Sequence, residues 1–133
     1  MMKDRVESGR LQDILADEGT FKEAMDGLMG MFDREIFDRI LTNNSVAGML
    51  ATALADKLHT TVLLDDGKIS KGEKVVIIAD SLGNGVELKS IVDFIESRGA
   101  EVIRIGCIVE KESEGARKSK ILRGYPFEAL VVI

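Results

Sequence analysis

The stretch that decides the fold reads Lys71-Gly-Glu-Lys-Val-Val-Ile-Ile-Ala-Asp-Ser-Leu-Gly-Asn-Gly-Val-Glu-Leu-Lys-Ser90. Its apolar run from Val75 to Ile78 is β-branched throughout, which is typical of a strand buried on both faces of a parallel sheet. From Leu88 onward, apolar residues recur at intervals of three and four, the spacing of one helical face, and Gly99 is placed to end that helix. The stretch therefore predicts a strand, a short turn and a helix, with Asp80 at the carboxyl end of the strand.

The turn between the predicted strand and helix is Gly83-Asn-Gly85. Such a turn directs free backbone N–H groups and the positive end of the helix dipole at whatever lies in front of it. Gly83 to Glu87 is therefore predicted to bind a phosphate. A local interpretation stays open beside this one: Asn84 caps the helix, and Glu87, three residues later, closes a capping box on it.

Strands and helices alternate along the rest of the chain. Predicted strands lie near Phe37–Leu41, Thr60–Leu64, Val75–Ile78, Val102–Val109 and Phe127–Ile133, with helices between them. The pattern predicts a single α/β domain with a mainly parallel five-stranded sheet flanked by helices, and a site at the carboxyl ends of the strands. We divide the chain into an N-terminal helical segment, 1–35, and an α/β domain, 36–133. Thr20-Phe-Lys-Glu23 is read as a capping box that opens the first helix, and the helix before the last strand is expected to run to about Arg123.

Composition narrows the class of protein. The chain has 133 residues, 45% of them apolar and 31% charged, with a formal net charge of −5, as expected for one globular domain without a nucleic-acid-binding face. No apolar run is long enough to span a bilayer, and the first residues lack the apolar core of a signal peptide, so we expect a cytoplasmic protein with no membrane partner. The one cysteine, Cys107, lies inside an apolar strand and is expected to be a core residue.

The motif Val75-Val-Ile-Ile-Ala-Asp-Ser-Leu-Gly-Asn-Gly-Val-Glu87 resembles the phosphoribosyl-pyrophosphate (PRPP) motif of type I phosphoribosyltransferases. Farther on, Val109-Glu-Lys-Glu-Ser-Glu-Gly-Ala116 is similar to the orotate phosphoribosyltransferase branch, in which a strand ends in an Asp-Arg pair before a Glu-Gly-Ala turn. The resemblance covers about Ile36 to Ile133. It implies a phosphoribosyltransferase-like fold that binds PRPP or a nucleotide 5′-phosphate, with Mg²⁺ supplied together with PRPP and no metal ligand in the chain itself.

The resemblance also implies roles for single residues. PRPP and phosphate contacts fall on Asp80, Ser81, Leu82, Gly83, Asn84, Gly85, Val86 and Glu87. Asp80 matches the second acid of the motif, which in the family binds the ribose hydroxyls, and it is the one catalytic candidate. Gly83 and Lys111 are placed beside the base.

Three departures from the family pattern weigh on activity. Ala79 replaces the first acid of the motif. The hairpin that carries a catalytic lysine in orotate enzymes would lie between Leu64 and Lys74, where the chain offers only a tight Asp-Asp-Gly turn at residues 65–67. In the phosphate loop, Gly83, Asn84 and Glu87 stand where the family pattern has hydroxyl residues. Specificity is affected separately, because Lys111 stands where the orotate enzymes have arginine and lacks that residue's bidentate fork.

Two functions are therefore kept. The first is a phosphoribosyltransferase whose catalysis is weak or lost, and the alternative is a non-catalytic nucleotide-binding, phosphate-binding or regulatory module on the same fold. A third option is a structural partner subunit that binds no ligand. We also expect a homodimer formed through an apolar patch on the first helix: Met25, Leu28, Met29, Met31 and Phe32.

Overall fold

The apolar runs of the sequence form five strands that pair in a single, fully parallel sheet. The computed structural model describes residue 13 and residues 15–42, 45–64 and 68–133. The strands are β1 (Arg39–Thr42), β2 (Thr61–Leu64), β3 (Lys74–Leu82), β4 (Glu101–Glu110) and β5 (Phe127–Val132). Their order across the sheet is β2-β1-β3-β4-β5, and every neighbouring pair is parallel. The predicted fold class is confirmed.

Within residues 15–42, 45–64 and 68–133, four α-helices flank the sheet: α1 (Glu18–Phe32), α2 (Ser45–Leu58), α3 (Val86–Ser97) and α4 (Ala116–Ser119). The helix expected to run to about Arg123 was predicted wrongly, because between β4 and β5 the chain forms only a 3-10 turn at Glu112–Glu114 and the four-residue α4. The left-handed conformations of Gly115 (φ 85°) and Lys120 (φ 60°) separate these pieces, since an α-helix cannot continue through positive φ. The alternation of apolar residues alone did not reveal these interruptions.

Strand β3 is buried on both faces, as its β-branched run predicted. Val76 and Ile78 belong to the core that includes the inner faces of α1 and α2. Val75, Ile77 and Ala79 belong to the core on the α3 side. All five are fully buried, so every residue of this part of the strand contributes to one of the two cores that hold the layers together.

Helix α1 begins three residues before the predicted start. Its N-cap is Asp17, whose Oδ2 accepts hydrogen bonds from the backbone N–H of Thr20 at 3.0 Å and from the Thr20 hydroxyl at 2.9 Å. Thr20 is therefore a buried residue inside the helix, and the prediction of a capping box from Thr20 to Glu23 was wrong. Aspartate caps helices as well as threonine does, and the burial of Thr20 favours the start at Asp17.

The apolar residues of α1 pack inside the domain. Met25, Leu28, Met31 and Phe32 are all at least 92% buried, and Met29 packs against the same core as a partly buried residue. The patch proposed as the dimer interface was predicted wrongly, because these side chains already cover the sheet and α2. A homodimer itself remains a prediction, as does the division of the chain at residue 35.

The strand order reverses direction between β1 and β3, since β1 connects outward to β2 and β3 connects outward to β4. In sheets of this order, ligands bind in the crevice outside the carboxyl ends of the two strands at the reversal. The loop that follows β3 lies at that place. The Asp-Asp-Gly turn at residues 65–67 lies outside the described residues. Of the helices that the structure describes, none combines the length and apolar character needed to cross a membrane.

Candidate functional site

The loop after β3 turns the chain directly into α3. Gly85 is the N-cap of this helix, with φ at 88°, and the side-chain oxygen of Asn84 accepts a hydrogen bond from the Val86 N–H at 3.0 Å. Glu87 is therefore the second residue of the helix. The predicted capping box between Asn84 and Glu87 was wrong, because that motif needs Asn84 itself at the N-cap.

The loop presents backbone donors without acceptors. Over the ranges 15–42, 45–64 and 68–133, the N–H groups of Gly83, Asn84 and Gly85 have no hydrogen-bond partner. They immediately precede a twelve-residue helix, so their partial positive charges add to the positive end of its dipole. The geometry is that of an anion-binding turn, as the glycine spacing predicted.

The back of this loop is closed by the segment between β4 and β5. A Cβ atom added to Gly85 would lie 2.5 Å from Cγ2 of Ile121 and 3.4 Å from Cβ of Ala116. Only glycine fits both this space and the left-handed backbone at residue 85. The turn is consequently held in place from behind by packing, while its front faces a crevice.

That crevice is a cavity of about 210 Å³, lined by Ser81, Leu82, Gly83, Asn84, Gly85, Glu87, Leu88, Lys111 and Glu114. Most of the predicted phosphate-contact residues line it, and both residues assigned to the base, Gly83 and Lys111, do so as well. Asp80 and Val86 are not part of this lining. The Asp80 carboxylate accepts a hydrogen bond from the Ser81 N–H at 2.7 Å, and the Val86 side chain is exposed.

Sequence reasoning missed Glu114. Its side chain belongs to the 3-10 turn after β4, and Oε1 would lie only 2.7 Å from a Cβ atom on Gly83. Its Oε2 lies 4.0 Å from Nζ of Lys111. The signal was the spacing of three residues from Lys111, because side chains at i and i+3 of a 3-10 turn lie on the same side. With Glu87 also present, the lining carries two carboxylates and one ammonium group.

Glu110, the other residue at the position of the family's Asp-Arg pair, turns away from the cavity lining. It is 98% buried and forms a two-pronged ion pair with Arg117, with Nε to Oε2 and Nη2 to Oε1 both at 2.9 Å. Hydrogen bonding to Glu110 raises the pKa of the Arg117 guanidinium, which also lies 4.3 Å above the ring of Phe127. The pair ties the end of β4 to α4 and so fixes both ends of the turn that carries Lys111 and Glu114.

The structure also tests the expectation for Cys107. Cys107 is fully buried, and burial raises the pKa of its thiol to about 12, which agrees with a core residue and not a nucleophile. In the described part of the chain, no three histidine, cysteine or acidic side chains converge to hold a metal ion.

Comparison with known proteins places this geometry in context. A model of the phosphoribosyl transferase domain matches residues 27–126. Xanthine phosphoribosyltransferase of Bacillus licheniformis is 33% identical over 107 residues, covering 80% of this chain and 55% of the relative. Xanthine phosphoribosyltransferase 2 of Clostridium perfringens is 27% identical over 140 residues, covering 98% of this chain and 72% of the relative. The chain thus spans between about half and three quarters of the length of these relatives.

Solved structures show the same fold at lower identity. Adenine phosphoribosyltransferase from Thermoanaerobacter pseudethanolicus superposes with a TM-score of 0.81 at 20% identity, covering 90% of this chain and 84% of that one. Orotate phosphoribosyltransferase from Aeropyrum pernix gives a TM-score of 0.76, also at 20% identity, covering 90% of this chain and 74% of that one. Three different bases occur in the names of these proteins, so the fold match does not select among them.

Proposed function

The chain belongs to the phosphoribosyltransferase family, and we propose that it binds PRPP or a nucleoside 5′-phosphate in the crevice after β3. In this proposal the loop from Gly83 to Glu87 holds the 5′-phosphate through backbone N–H groups. Asp80, at the carboxyl end of β3, accepts hydrogen bonds from the ribose hydroxyls. Gly83 and Lys111 lie beside the base.

The observation that supports the proposal best is the set of three N–H groups at the start of α3 that have no partner among the described residues. Unpaired backbone donors are costly unless water or a ligand satisfies them. A phosphate accepts several hydrogen bonds at once and gains from the helix dipole, which suits it to this place. The loop also lies at the reversal of strand order, where sheets of this kind bind ligands.

We further propose that phosphoribosyl transfer by this chain is weak or lost. Transfer develops positive charge on the ribose while the pyrophosphate leaves, so its rate depends on groups that stabilise both and exclude water. Ala79 removes one of the two acids of the motif, and only nine residues, 65–73, connect β2 to β3. So short a connection favours the alternative function, a non-catalytic nucleotide-binding, phosphate-binding or regulatory module.

Within the family, the sequence prediction pointed to the orotate phosphoribosyltransferases. The Glu-Gly-Ala turn supports it, whereas Lys111 cannot offer the bidentate fork of an arginine. Relatives named for xanthine support a purine base instead. We therefore propose a phosphoribosyltransferase-like nucleotide-binding protein and expect its orotate transfer to lie far below about 10 per second, the middle of the range for enzymes in general.

Two parts of the proposal do not depend on the ligand site. These are a cytoplasmic location and a homodimer, for which sedimentation at micromolar concentration should give about twice the monomer mass of 14.5 kDa. A monomer mass would remove the dimer from the proposal and leave the ligand site untouched.

The phosphate contact is tested by calorimetry with AMP and adenosine, in the presence of Mg²⁺. Glu87 lines the cavity, so Glu87→Gln should strengthen AMP binding while leaving adenosine binding unchanged. A carboxylate about 5 Å from a phosphate costs roughly 3 kcal/mol at an effective dielectric of 20, and about 0.5 kcal/mol when water screens it. Because Glu87 is exposed, we expect a gain of about two- to fivefold.

The matched control is Glu101→Gln, which removes the same charge at the amino end of β4, away from the cavity. It should leave both affinities unchanged. Equal gains from the two variants would indicate a general charge effect and contradict a phosphate in this loop. Absence of binding by PRPP and by AMP at millimolar concentration would refute the proposed function as a whole.

A further inference from the structure

Glu114 places a carboxylate where the base of a bound nucleotide would lie. The side chain reaches the open side of Gly83, and its other oxygen lies 4.0 Å from Nζ of Lys111. Gly83 and Lys111 are the two residues that the proposed function sets beside the base, so the present inference rests on that function. A base between them cannot avoid the neighbourhood of Glu114, whichever way its ring is turned.

A carboxylate and a neighbouring ammonium group recognise opposite hydrogen-bonding groups of a ligand. The carboxylate only accepts hydrogen bonds, and the ammonium group only donates them. A ring edge with an N–H group beside a carbonyl satisfies both. A base that carries its own carboxylate brings a like charge to within a few ångströms of Glu114. It is also attracted to Lys111, but that ammonium group already interacts with Glu114.

We infer that Glu114 is a specificity-determining residue of this site, which accepts bases with a neutral amide edge and rejects bases that carry a carboxylate, such as orotate. The rejection comes from the repulsion between the Glu114 carboxylate and the carboxylate of the base. Its size is limited by solvent, because the Glu114 side chain is 49% exposed. Two like charges about 5 to 6 Å apart at a half-exposed site give a discrimination of about 3- to 30-fold.

The cleanest test compares two ligands that differ by one carboxylate. UMP and orotidine 5′-monophosphate share the ribose, the phosphate and the pyrimidine ring, so the ratio of their dissociation constants isolates the carboxylate. Calorimetry on the wild-type chain should show orotidine 5′-monophosphate binding about 3- to 30-fold more weakly than UMP. In Glu114→Gln, which keeps the shape and removes the charge, the ratio should fall to near one through tighter binding of orotidine 5′-monophosphate.

Glu112→Gln is the matched control, because Glu112 belongs to the same 3-10 turn, is exposed and does not line the cavity. It should keep the wild-type ratio. Lys111→Met should move the ratio the other way and widen the discrimination, since it removes the cation that offsets Glu114. Circular dichroism confirms that each variant is folded before titration.

The outcomes separate this inference from the proposed function. UMP binding with the same ratio in the wild-type chain and in Glu114→Gln would overturn the role of Glu114 while leaving nucleotide binding intact. A comparable fall of the ratio in Glu112→Gln would do the same, because it would show that the net charge of the turn is responsible. Failure of UMP, AMP and PRPP to bind the wild-type chain would instead overturn the proposed function, and this inference with it.

Discussion

Replacing Gly85 by alanine should destabilise the domain more than any ordinary surface substitution would. Two features of the structure make separate contributions. The backbone at this residue is left-handed, with φ at 88°, and an added Cβ atom would lie 2.5 Å from Cγ2 of Ile121. The first feature strains the backbone of any L-residue, and the second forces a packed side chain to move.

The magnitude follows from these two contributions. Left-handed backbone costs an alanine about 1 kcal/mol relative to glycine. Overpacking of this kind costs about 1–3 kcal/mol more, because Ile121 packs against the core on the α3 side and has limited room to shift. We expect a loss of about 2–4 kcal/mol in the free energy of unfolding, or about 7–14 °C in Tm for a chain of 133 residues.

Two other glycines give matched controls for the assay, which is urea denaturation followed by circular dichroism. Gly115 also has a left-handed backbone, with φ at 85°, but an added Cβ atom would meet nothing within 4 Å. Gly115→Ala should therefore lose only about 1 kcal/mol. Gly30 lies inside α1 in open space, so Gly30→Ala should gain about 0.5–1 kcal/mol.

The order of the three variants decides the question. If Gly85→Ala loses no more stability than Gly115→Ala, the contact between residue 85 and Ile121 does not support the loop, and packing from behind is not what holds it. Unchanged slopes of the urea transitions would show that the comparison is one of stability alone.

Three further predictions concern the interior. Arg117→Leu leaves the Glu110 carboxylate buried without its ion pair and should lower the free energy of unfolding by about 2–3 kcal/mol in urea titrations. The double variant that adds Glu110→Leu should regain part of that loss. Equal losses in the single and the double variant would contradict this expectation. Gly106→Ala puts a Cβ atom 2.6 Å from Cζ of the fully buried Phe32 ring and should cost about 2–3 kcal/mol by the same assay, so a neutral result would show that the ring can move. Burial raises the pKa of Cys107 to about 12, so its thiol should react with iodoacetamide only after unfolding. Because this pKa is higher in the folded than in the unfolded state, the contribution of the buried thiol to stability is intact below about pH 9 and is lost towards pH 12, at up to about 1.4 kcal/mol per pH unit. The Cys107→Ala variant should lack this slope.

The central strand and its loop could be predicted from sequence because their signals are local. Four β-branched residues from Val75 to Ile78 fill both faces of one strand, and glycine at residue 85 permits the left-handed backbone of the following turn. The alternation of elements then fixed a parallel sheet. Boundaries were less accurate where two residues could serve the same role, as Asp17 and Thr20 could at the start of α1.

Sequence reasoning failed where contacts between residues far apart in the chain determine the role of a side chain. The apolar face of α1 offered no sign of whether it meets this chain or another, and burial against the sheet and α2 settled it for Met25 and Phe32. Glu114 went unnoticed because its importance comes from its approach to Gly83, a residue 31 positions earlier in the chain. Glu110 precedes Lys111 in the chain, yet its ion pair with Arg117 turns it inward, which the sequence did not indicate.

The place of β3 in the middle of the sheet has a consequence for hydrogen exchange. Its amides are bonded within a strand that has neighbours on both sides and cores on both faces, so they should exchange with solvent deuterium only when the whole domain unfolds. The amides of Gly83 to Gly85, one residue beyond, have no partner in the described part of the chain and should exchange within the dead time of the experiment. Slowly and rapidly exchanging amides are thus adjacent along the chain, and an anion held by the loop would be visible as protection that begins where the strand ends.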